Sequence, residues 1–352
     1  MEEKKKTARE IIEGYDGPPV RIMEVCGTHT HEIFRLGIRK LLPEQVELIS
    51  GPGCPVCVTQ VGFIDEAIYL ALERQVTICT FGDLVRVPGT NMSLAGARER
   101  GAKIRIVYSP VDAKEYAKEH PKEQVTFLSV GFETTTPSAC LSVKKAREEG
   151  LTNYSILTAN KTMPQAYEAL KGSADIFLYP GHVNAITGTK LCEELAKEGV
   201  SGVVAGFKAK ELLTALAVAL ARFQEGRPFF VNCYPRVVTE NGSPQAQKLV
   251  EEMMEPCDSE WRGLGVIKGS GMRLQEEWSA FDARKKYKIP PIQGKANPAC
   301  RCGDVLQGKC KPSDCKIFGK ACTPQHPVGA CMVSGEGACS AYYMYGEAEK
   351  MK

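Results

Sequence analysis

The stretch VTFLSVGFETTTP, residues 125–137, contains the unit that decides the fold. VTFLSV is an unbroken run of apolar and β-branched residues, which is typical of a strand buried on both faces. The glycine turn and the threonine run lead into Pro137, which suits the first turn of a helix, with a threonine as its N-cap. A strand that passes directly into a helix is the building block of parallel α/β sheets.

The same alternation extends on both sides of this stretch, from about residue 20 to about residue 230. The strand candidates are RIMEV (21–25), VELIS (46–50), VTICT (76–80), IRIVY (104–108), VTFLSV (125–130), YSILT (154–158), DIFLY (175–179) and GVVAG (202–206). Strands separated by helices predict parallel sheets, arranged either as two doubly wound domains or as one (β/α)8 barrel. We favour two similar α/β domains, residues 1–130 and 131–235, followed by a C-terminal domain over residues 236–352.

Cysteines are unusually frequent, with fifteen in the chain, and seven of them lie in the last 53 residues. These seven are Cys300, Cys302, Cys310, Cys315, Cys322, Cys331 and Cys339. Because this tail has little apolar material, burial alone would not stabilise it, whereas a metal centre would cross-link it. The spacings match neither a ferredoxin nor a zinc ribbon. They favour an iron–sulfur centre over zinc or a metal-free reduced tail, without selecting the four ligands.

Polar motifs follow several strand candidates at the point where each strand ends. They are CGTHTH (26–31), GPGCPVC (51–57), GFETTTP (131–137) and PGHVNAI (180–186). In open parallel sheets, ligands bind in the crevice outside the carboxyl ends of the strands, so we expect these loops to converge. The residues brought together would be Cys26, Cys54, Cys57, His29, His31, His182 and Glu133.

Several of these residues also have a plainer interpretation. Cys54 and Cys57 form a Cys-x-x-Cys pair, which either ligates zinc or undergoes thiol–disulfide exchange. Cys26 lies in a strand-to-helix turn, where backbone amides lower the pKa of a thiol. His31 is expected to face solvent on the first turn of its helix. Four cysteines in apolar elements are expected to be inert buried thiols: Cys79, Cys140, Cys192 and Cys233.

The overall composition argues against two classes of partner. The net charge is only +3 and no basic stripe is evident, so nucleic acid is not an expected partner. The longest apolar run, LLTALAVALA (212–221), is about half of the ~20 residues that span a bilayer. The charged start MEEKKKTARE does not resemble a signal peptide. We therefore expect a cytoplasmic protein without a membrane partner.

Five long motifs, in order along nearly the whole chain, resemble the HypD family of [NiFe]-hydrogenase maturation proteins. They are CGTHTHEIFRLGIRKLLP, ISGPGCPVCVT, SVGFETTTP, YPGHVNAITG and CKIFGKACTPQHPVGACMVSGEGACSAYY. The resemblance implies two similar α/β domains and a third domain that holds a [4Fe–4S] cluster. It also implies a scaffold, formed with the small protein HypC, on which an Fe(CN)2CO unit is assembled for the hydrogenase large subunit. HypE would donate the cyanide as a thiocyanate made with HypF.

The resemblance also implies roles for individual cysteines. The cluster ligands would be Cys315, Cys322, Cys331 and Cys339, whereas Cys310 lies outside the family motif. Cys26 would bind the iron of the Fe(CN)2CO unit, and Cys54 and Cys57 would be the redox-active pair. Such a dithiol supplies the two electrons that release cyanide from a thiocyanate, while a cluster recharges it one electron at a time.

Further roles follow as hypotheses from this picture. His29 and Glu133 would orient Cys26 or donate hydrogen bonds to the cyanide nitrogen. Cys300 and Cys302 are either a relay between the cluster and the cleft or structural residues. We expect a redox-active assembly scaffold rather than a turnover enzyme. The alternatives are an iron–sulfur-dependent protein disulfide reductase and a zinc hydrolase that uses Cys and His ligands from the loops.

Overall fold

The computed structural model describes residues 6–346 and contains two parallel β-sheets. Within this range the strands are β1 Val20–Glu24, β2 Val46–Ser50, β3 Thr77–Thr80, β4 Ile104–Ile106, β5 Val125–Gly131, β6 Tyr154–Asn160, β7 Ile176–Pro180, β8 Ser201–Ala205, β9 Phe230–Asn232, β10 Met254–Trp261 and β11 Gly265–Leu274. All eight predicted strands are confirmed as β1 to β8.

The two sheets are interleaved along the chain. The first has the order β2-β1-β7-β8-β9 and the second the order β4-β3-β5-β6, with parallel pairing throughout both. The prediction of two parallel-sheet α/β domains is confirmed, and the barrel alternative is wrong. The division after residue 130 does not separate the sheets, because β5 and β6 pair with each other along seven residues. The chain leaves the first sheet after β2 and returns to it at β7.

Helices connect the strands and cover both sheets. In the described range they are α1 Ala8–Glu13, α2 Gly27–Arg35, α3 Pro55–Val58, α4 Val61–Glu73, α5 Leu94–Glu99, α6 Pro110–Glu119, α7 Thr136–Glu148, α8 Met163–Ala169, α9 Gly181–Thr187, α10 Lys190–Lys197, α11 Ala209–Phe223, α12 Pro244–Met253, α13 Ala283–Lys286, α14 Cys302–Leu306, α15 Ala330–Val333 and α16 Ala338–Tyr345. Four 3-10 segments are Ile38–Leu41, Gly82–Arg86, Glu276–Phe281 and Pro312–Asp314. None of the helices in residues 6–346 combines the length and apolarity needed to cross a membrane.

The stretch around residue 131 folds largely as its sequence predicts. All seven residues of β5 are buried, and α7 begins at Thr136 with Pro137 in its first turn. The threonine cap differs from the prediction: Thr135 is the N-cap residue, but its side chain makes no capping bond. The Thr136 hydroxyl instead donates to the Phe132 carbonyl at 2.9 Å, which ties the helix start back to the end of the strand.

The cysteine-rich tail packs against the first sheet's helices and loops. Helix α16 lies on α2, where the Phe34 and Tyr342 rings meet with centroids 4.5 Å apart. Helix α15 packs on α3, which follows the GPGC turn. The tail therefore reaches the loops at the carboxyl ends of β1 and β2, although it is separated from them by more than 240 residues along the chain.

Candidate functional site

The CGTHTH and GPGCPVC loops are in direct main-chain contact. The Gly27 amide donates to the Gly53 carbonyl at 3.0 Å. A Cβ atom added to Gly53 would lie 2.2 Å from the Cys26 nitrogen, so only glycine allows the two loops to approach this closely. The predicted convergence of these loops is confirmed, because β1 and β2 are neighbouring parallel strands.

Cys54 and Cys57 lie around the start of α3 and are both buried. The Cys57 amide donates to the Cys54 sulfur at 3.2 Å, so the first thiol caps the helix that carries the second. Burial raises the pKa of the Cys57 thiol well above its usual range, and this thiol also interacts with Cys54 and with Cys331. The Cys57 thiol is therefore protonated at neutral pH. It lies between Cys54, its partner in the pair, and Cys331 of the tail.

Cys26 is the N-cap residue of α2 and is also buried. Burial raises the pKa of its thiol to about 12, and the nearby Glu336 carboxylate raises it further. Amides at Thr28 and His29 act in the opposite direction but are outweighed. The sequence-based expectation of a lowered pKa is therefore wrong, because burial exceeds the effect of the helix start.

Glu336 is a site residue that the sequence reasoning missed. The Thr28 hydroxyl donates to its carboxylate at 2.6 Å, and His31 Nδ1 lies 2.9 Å from the Gly335 carbonyl oxygen. The expectation that His31 simply faces solvent is wrong, since the tail closes over this turn of α2. The GEG sequence between Cys331 and Cys339 was the available signal, but nothing in the sequence showed where this segment packs.

Two histidines pack against the same phenylalanine ring beside these loops, one tilted and one stacked. The ring centroids of His29 and His182 lie 4.8 and 4.1 Å from that of Phe207. Burial lowers the pKa of His29 to about 4, so its imidazole is neutral. Its Nε2 lies 3.0 Å from the Gly206 carbonyl oxygen and must carry the proton, which leaves Nδ1, buried and without a hydrogen-bond partner, as an acceptor. His29 can accept a hydrogen bond at the site but cannot donate one from Nδ1.

Glu133 lies at the end of β5 with one half of its carboxyl unsatisfied. Its Oε1 accepts from the Met163 amide at 2.8 Å, whereas Oε2 is buried without a hydrogen-bond partner. Burial raises the pKa of this carboxyl to about 7. The buried Tyr167 hydroxyl also has no hydrogen-bond partner and interacts electrostatically with both Glu133 and Cys26. Glu133 and Cys26 therefore both lie within electrostatic range of the Tyr167 hydroxyl.

A cavity in the tail collects six of the seven C-terminal cysteines. They are Cys300, Cys302, Cys315, Cys322, Cys331 and Cys339. The rest of the lining is mostly apolar, with Val305, Ile317, Phe318 and Met332 among it. Cys310 instead lines a separate cavity beside Arg21 and Glu47. The fold therefore separates Cys310 from the other six cysteines of the tail, a distinction that the spacing of the cysteines does not provide.

Within this cavity, two thiols lie against each other and lead toward the GPGCPVC loop. The Cys302 and Cys331 sulfurs are 2.7 Å apart, and both residues are buried. Cys331 also interacts with Cys57. A continuous series of thiols therefore runs from Cys54 through Cys57, Cys331 and Cys302 to the cavity. We call this set the thiol series.

Comparison with known proteins shows the family to which the chain belongs. The HypD family model, described as the hydrogenase formation hypA family, matches residues 2–346. The chain belongs to the HypD family. It is 42% identical to the hydrogenase maturation factor HypD of Cupriavidus necator over 347 residues, which cover 95% of this chain and 92% of that protein. The HypD factors of Rhodobacter capsulatus and Escherichia coli are 44% and 43% identical, each covering 94% of this chain and 90% of its own length. The chain therefore works within the hydrogenase maturation machinery.

The [4Fe–4S] cluster implied by this family was compared with the residues present. The cavity offers six sulfur donors in a mostly apolar lining, a donor set that suits an iron–sulfur cluster. In residues 6–346 no three His, Cys, Asp or Glu side chains are grouped as a single metal ion would require. A cubane cluster has a different requirement, because each of its four thiolates binds a different iron. The residues of the cavity fit the cluster.

Replacing Glu133 by Gln should remove a pH-dependent loss of stability. The carboxyl ionises near 4.5 when exposed and near 7 when folded, so between these values the folded chain keeps a proton that the unfolded chain releases. The contribution of Glu133 to the free energy of unfolding therefore falls as pH rises through this window, by at most about 3 kcal/mol. Buried groups such as His29 contribute in the opposite direction, but they are common to the wild type and the variant, so the difference between the two proteins isolates Glu133. Between about pH 5 and about pH 8, the free energy of unfolding measured in urea should change less favourably for the wild type than for Glu133→Gln, by up to about 3 kcal/mol. The exposed Glu99→Gln is the control, and an equal change in all three proteins would contradict the burial of Glu133.

Proposed function

We propose that this chain is the redox-active scaffold on which, together with HypC, the Fe(CN)2CO unit is assembled before its delivery to the hydrogenase large subunit. The observation that supports this most is the thiol series beside Cys26. The thiol series extends from the loop beside Cys26, whose thiol suits a soft iron, to the tail cavity, whose thiols suit a cluster. Membership of the HypD family and the free thiols support a place in the maturation machinery of the reducing cytoplasm.

Cys26 would be the thiol that binds the iron of the cargo. Low-spin iron carrying cyanide and carbon monoxide is soft, and a thiolate is the matching ligand. Because the pKa of Cys26 is about 12, its proton must leave when iron binds, and metal binding supplies the driving force. Nδ1 of the neutral His29, in the first turn of α2, would accept a hydrogen bond without taking up this proton, because its pKa is about 4. HypC would contribute a further thiol to the same iron.

Cys54 and Cys57 would supply the electrons that free cyanide from the thiocyanate carried by HypE. In that step the sulfur–carbon bond of the thiocyanate breaks, giving a thiol on the donor and hydrogen cyanide. The Cys54–Cys57 disulfide forms at the same time, so two electrons and two protons leave the pair. The high pKa of Cys57 keeps one of these protons in place until the reaction needs it.

The cluster would be held by four of the six thiols in the cavity and would supply electrons one at a time. Three of the four ligands would be Cys315, Cys322 and Cys339. The family motif adds Cys331 as the fourth ligand. The 2.7 Å contact between Cys331 and Cys302 favours Cys300 instead, because it places Cys331 in a thiol pair between Cys57 and the cavity.

A protein disulfide reductase is the second candidate, and the contact between Cys57 and Cys331 is the observation in its favour. Such an enzyme must present a thiol to a disulfide on the surface of a folded protein. Cys54 is 3% exposed and Cys57 is fully buried. A narrow terminal thiocyanate needs less room than a protein disulfide, so the burial of this pair favours the scaffold.

The proposal predicts infrared bands of iron-bound cyanide and carbon monoxide in protein purified anaerobically with HypC. Cys26→Ala should lose these bands and keep the iron and sulfide of the cluster, because Cys26 lies outside the tail cavity. Cys233→Ala, a half-buried cysteine outside the thiol series, is the control and should keep them. A wild type that contains iron and sulfide but shows no such bands would favour the reductase.

A further inference from the structure

A basic groove lies between the second sheet and the tail. Its cavity volume is about 780 Å³, and its walls are formed by residues 86–95 on one side and by residues 295–298 and 325–328 on the other. Arg86 donates across it to the Pro324 carbonyl at 2.8 Å, and the Lys295 amide donates to the Thr90 hydroxyl at 2.9 Å. Residues from both regions therefore fix its shape.

The charged side chains that line this groove are all cationic. Its described lining includes Arg86, Arg262 and Lys295 but no Asp or Glu. Arg262 donates from Nε to the Thr59 carbonyl at 3.0 Å, whereas one terminal guanidinium nitrogen is buried without a hydrogen-bond partner. A buried charged donor without an acceptor is costly, so an anionic group at this wall would be stabilising.

The groove shares a wall with the thiol cavity. Val328, which lines the groove, donates its amide to the Cys322 sulfur at 3.4 Å. Asn297, on the same side of the groove, accepts from the Cys300 amide through its carbonyl at 3.0 Å. Arg262 interacts electrostatically with the thiols of both Cys300 and Cys302. A protein seated in the groove would therefore lie one layer of residues from the proposed cluster.

We propose that the basic groove docks a small acidic one-electron carrier protein, such as a ferredoxin, which reduces the cluster in the adjacent cavity. This inference rests on the proposed function. In each docking event the carrier would lose one electron and the cluster would gain one. Two such events, with two protons from solvent, would return the Cys54–Cys57 disulfide to the dithiol. A carrier is favoured over a free anion because Arg86 and Lys295 are exposed, and exposed single charges bind an isolated ion only weakly.

The test compares two variants of the full chain with matched charge changes. Arg86→Gln with Lys295→Glu weakens the groove, whereas Lys197→Gln with Lys210→Glu makes the same change on exposed helices of the first sheet. Stopped-flow reduction of the cluster by a reduced plant-type ferredoxin should be roughly tenfold slower for the groove variant at low salt. The difference should vanish at high salt, where exposed charges are screened. Calorimetric binding of oxidised ferredoxin should show the same loss, independently of electron transfer.

The outcomes separate this inference from the proposed function. Equal rates and equal binding in both variants, with iron and sulfide present, would overturn the groove as the docking site and leave the scaffold intact. Full displacement of ferredoxin by millimolar inorganic phosphate would also overturn it, in favour of a small-anion site. A chain without iron and sulfide would overturn both proposals.

Discussion

Cys57→Ser should abolish cyanide release from the thiocyanate donor while leaving the cluster in place. A serine cannot close a disulfide with Cys54, so the pair loses its capacity for two electrons. The contact between Cys57 and Cys331 is also lost, which disconnects the pair from the tail. The rate of cyanide transfer should fall by on the order of a hundredfold or more, as when a reacting nucleophile is removed.

Cys140→Ser is the matched control for this variant. Cys140 is also fully buried, and burial raises the pKa of its thiol to about 12, but it packs in the second sheet away from the thiol series. Both variants introduce a hydroxyl at a buried position. Cys140→Ser therefore measures the effect of that change on the fold, without the loss of the Cys54–Cys57 pair. Cyanide transfer that survives in Cys57→Ser at the rate of the control would remove the dithiol from the mechanism.

Arg39→Leu should destabilise the chain by about 3–5 kcal/mol, the cost of breaking a buried ion pair from one side. Arg39 lies 2.7 Å from the carboxylate of Glu24, which is fully buried in β1, and it also donates to the Leu48 carbonyl in β2 at 2.7 Å. Its guanidinium stacks over the Phe34 ring at 4.4 Å. The substitution removes one counter-charge from Glu24, two residues before Cys26, and it loosens the two strands that position the site.

Arg35→Leu provides the comparison for this stability prediction. Arg35 pairs with Glu32 on the outside of α2, and about half of its side chain is exposed. An exposed pair of this kind contributes roughly 0–1 kcal/mol. Urea unfolding of the two variants should therefore differ by several kilocalories per mole. Similar losses in both would show that the Arg39–Glu24 pair is not buried in the folded chain.

The strands could be predicted from sequence, but the sheet to which each belongs could not. Runs such as VTFLSV and DIFLY are apolar because both sheets are covered by helices, so they mark strands regardless of their partners. The return of β7 to the first sheet is a long-range pairing with β1, and the pattern of apolar residues is the same for either sheet. A division after residue 130 was therefore the natural expectation for a chain with two similar halves.

In the candidate site, too, the sequence predicts local features but not the contacts between distant parts of the chain. The convergence of Cys26 with Cys54 followed from the rule for strand ends, and the loops indeed touch. The contact of Cys57 with Cys331 joins positions far apart in sequence, and no spacing rule predicts it. Burial decides the protonation of Cys26 and His29, and it depends on contacts distant in sequence: Glu336 of the tail lies near Cys26, whereas His29 packs against Phe207. Motifs therefore identified the reactive groups, while the fold determined their charge and their neighbours.

The central claim is that the Cys54–Cys57 dithiol is oxidised to a disulfide when cyanide is released from the donor and binds to the iron. The most direct test is a single turnover with the thiocyanate donor in the absence of added reductant, followed by rapid alkylation and mass spectrometric mapping of the thiols. The account predicts one Cys54–Cys57 disulfide for each cyanide that appears on iron. Cyanide on iron with both thiols still alkylated would contradict it.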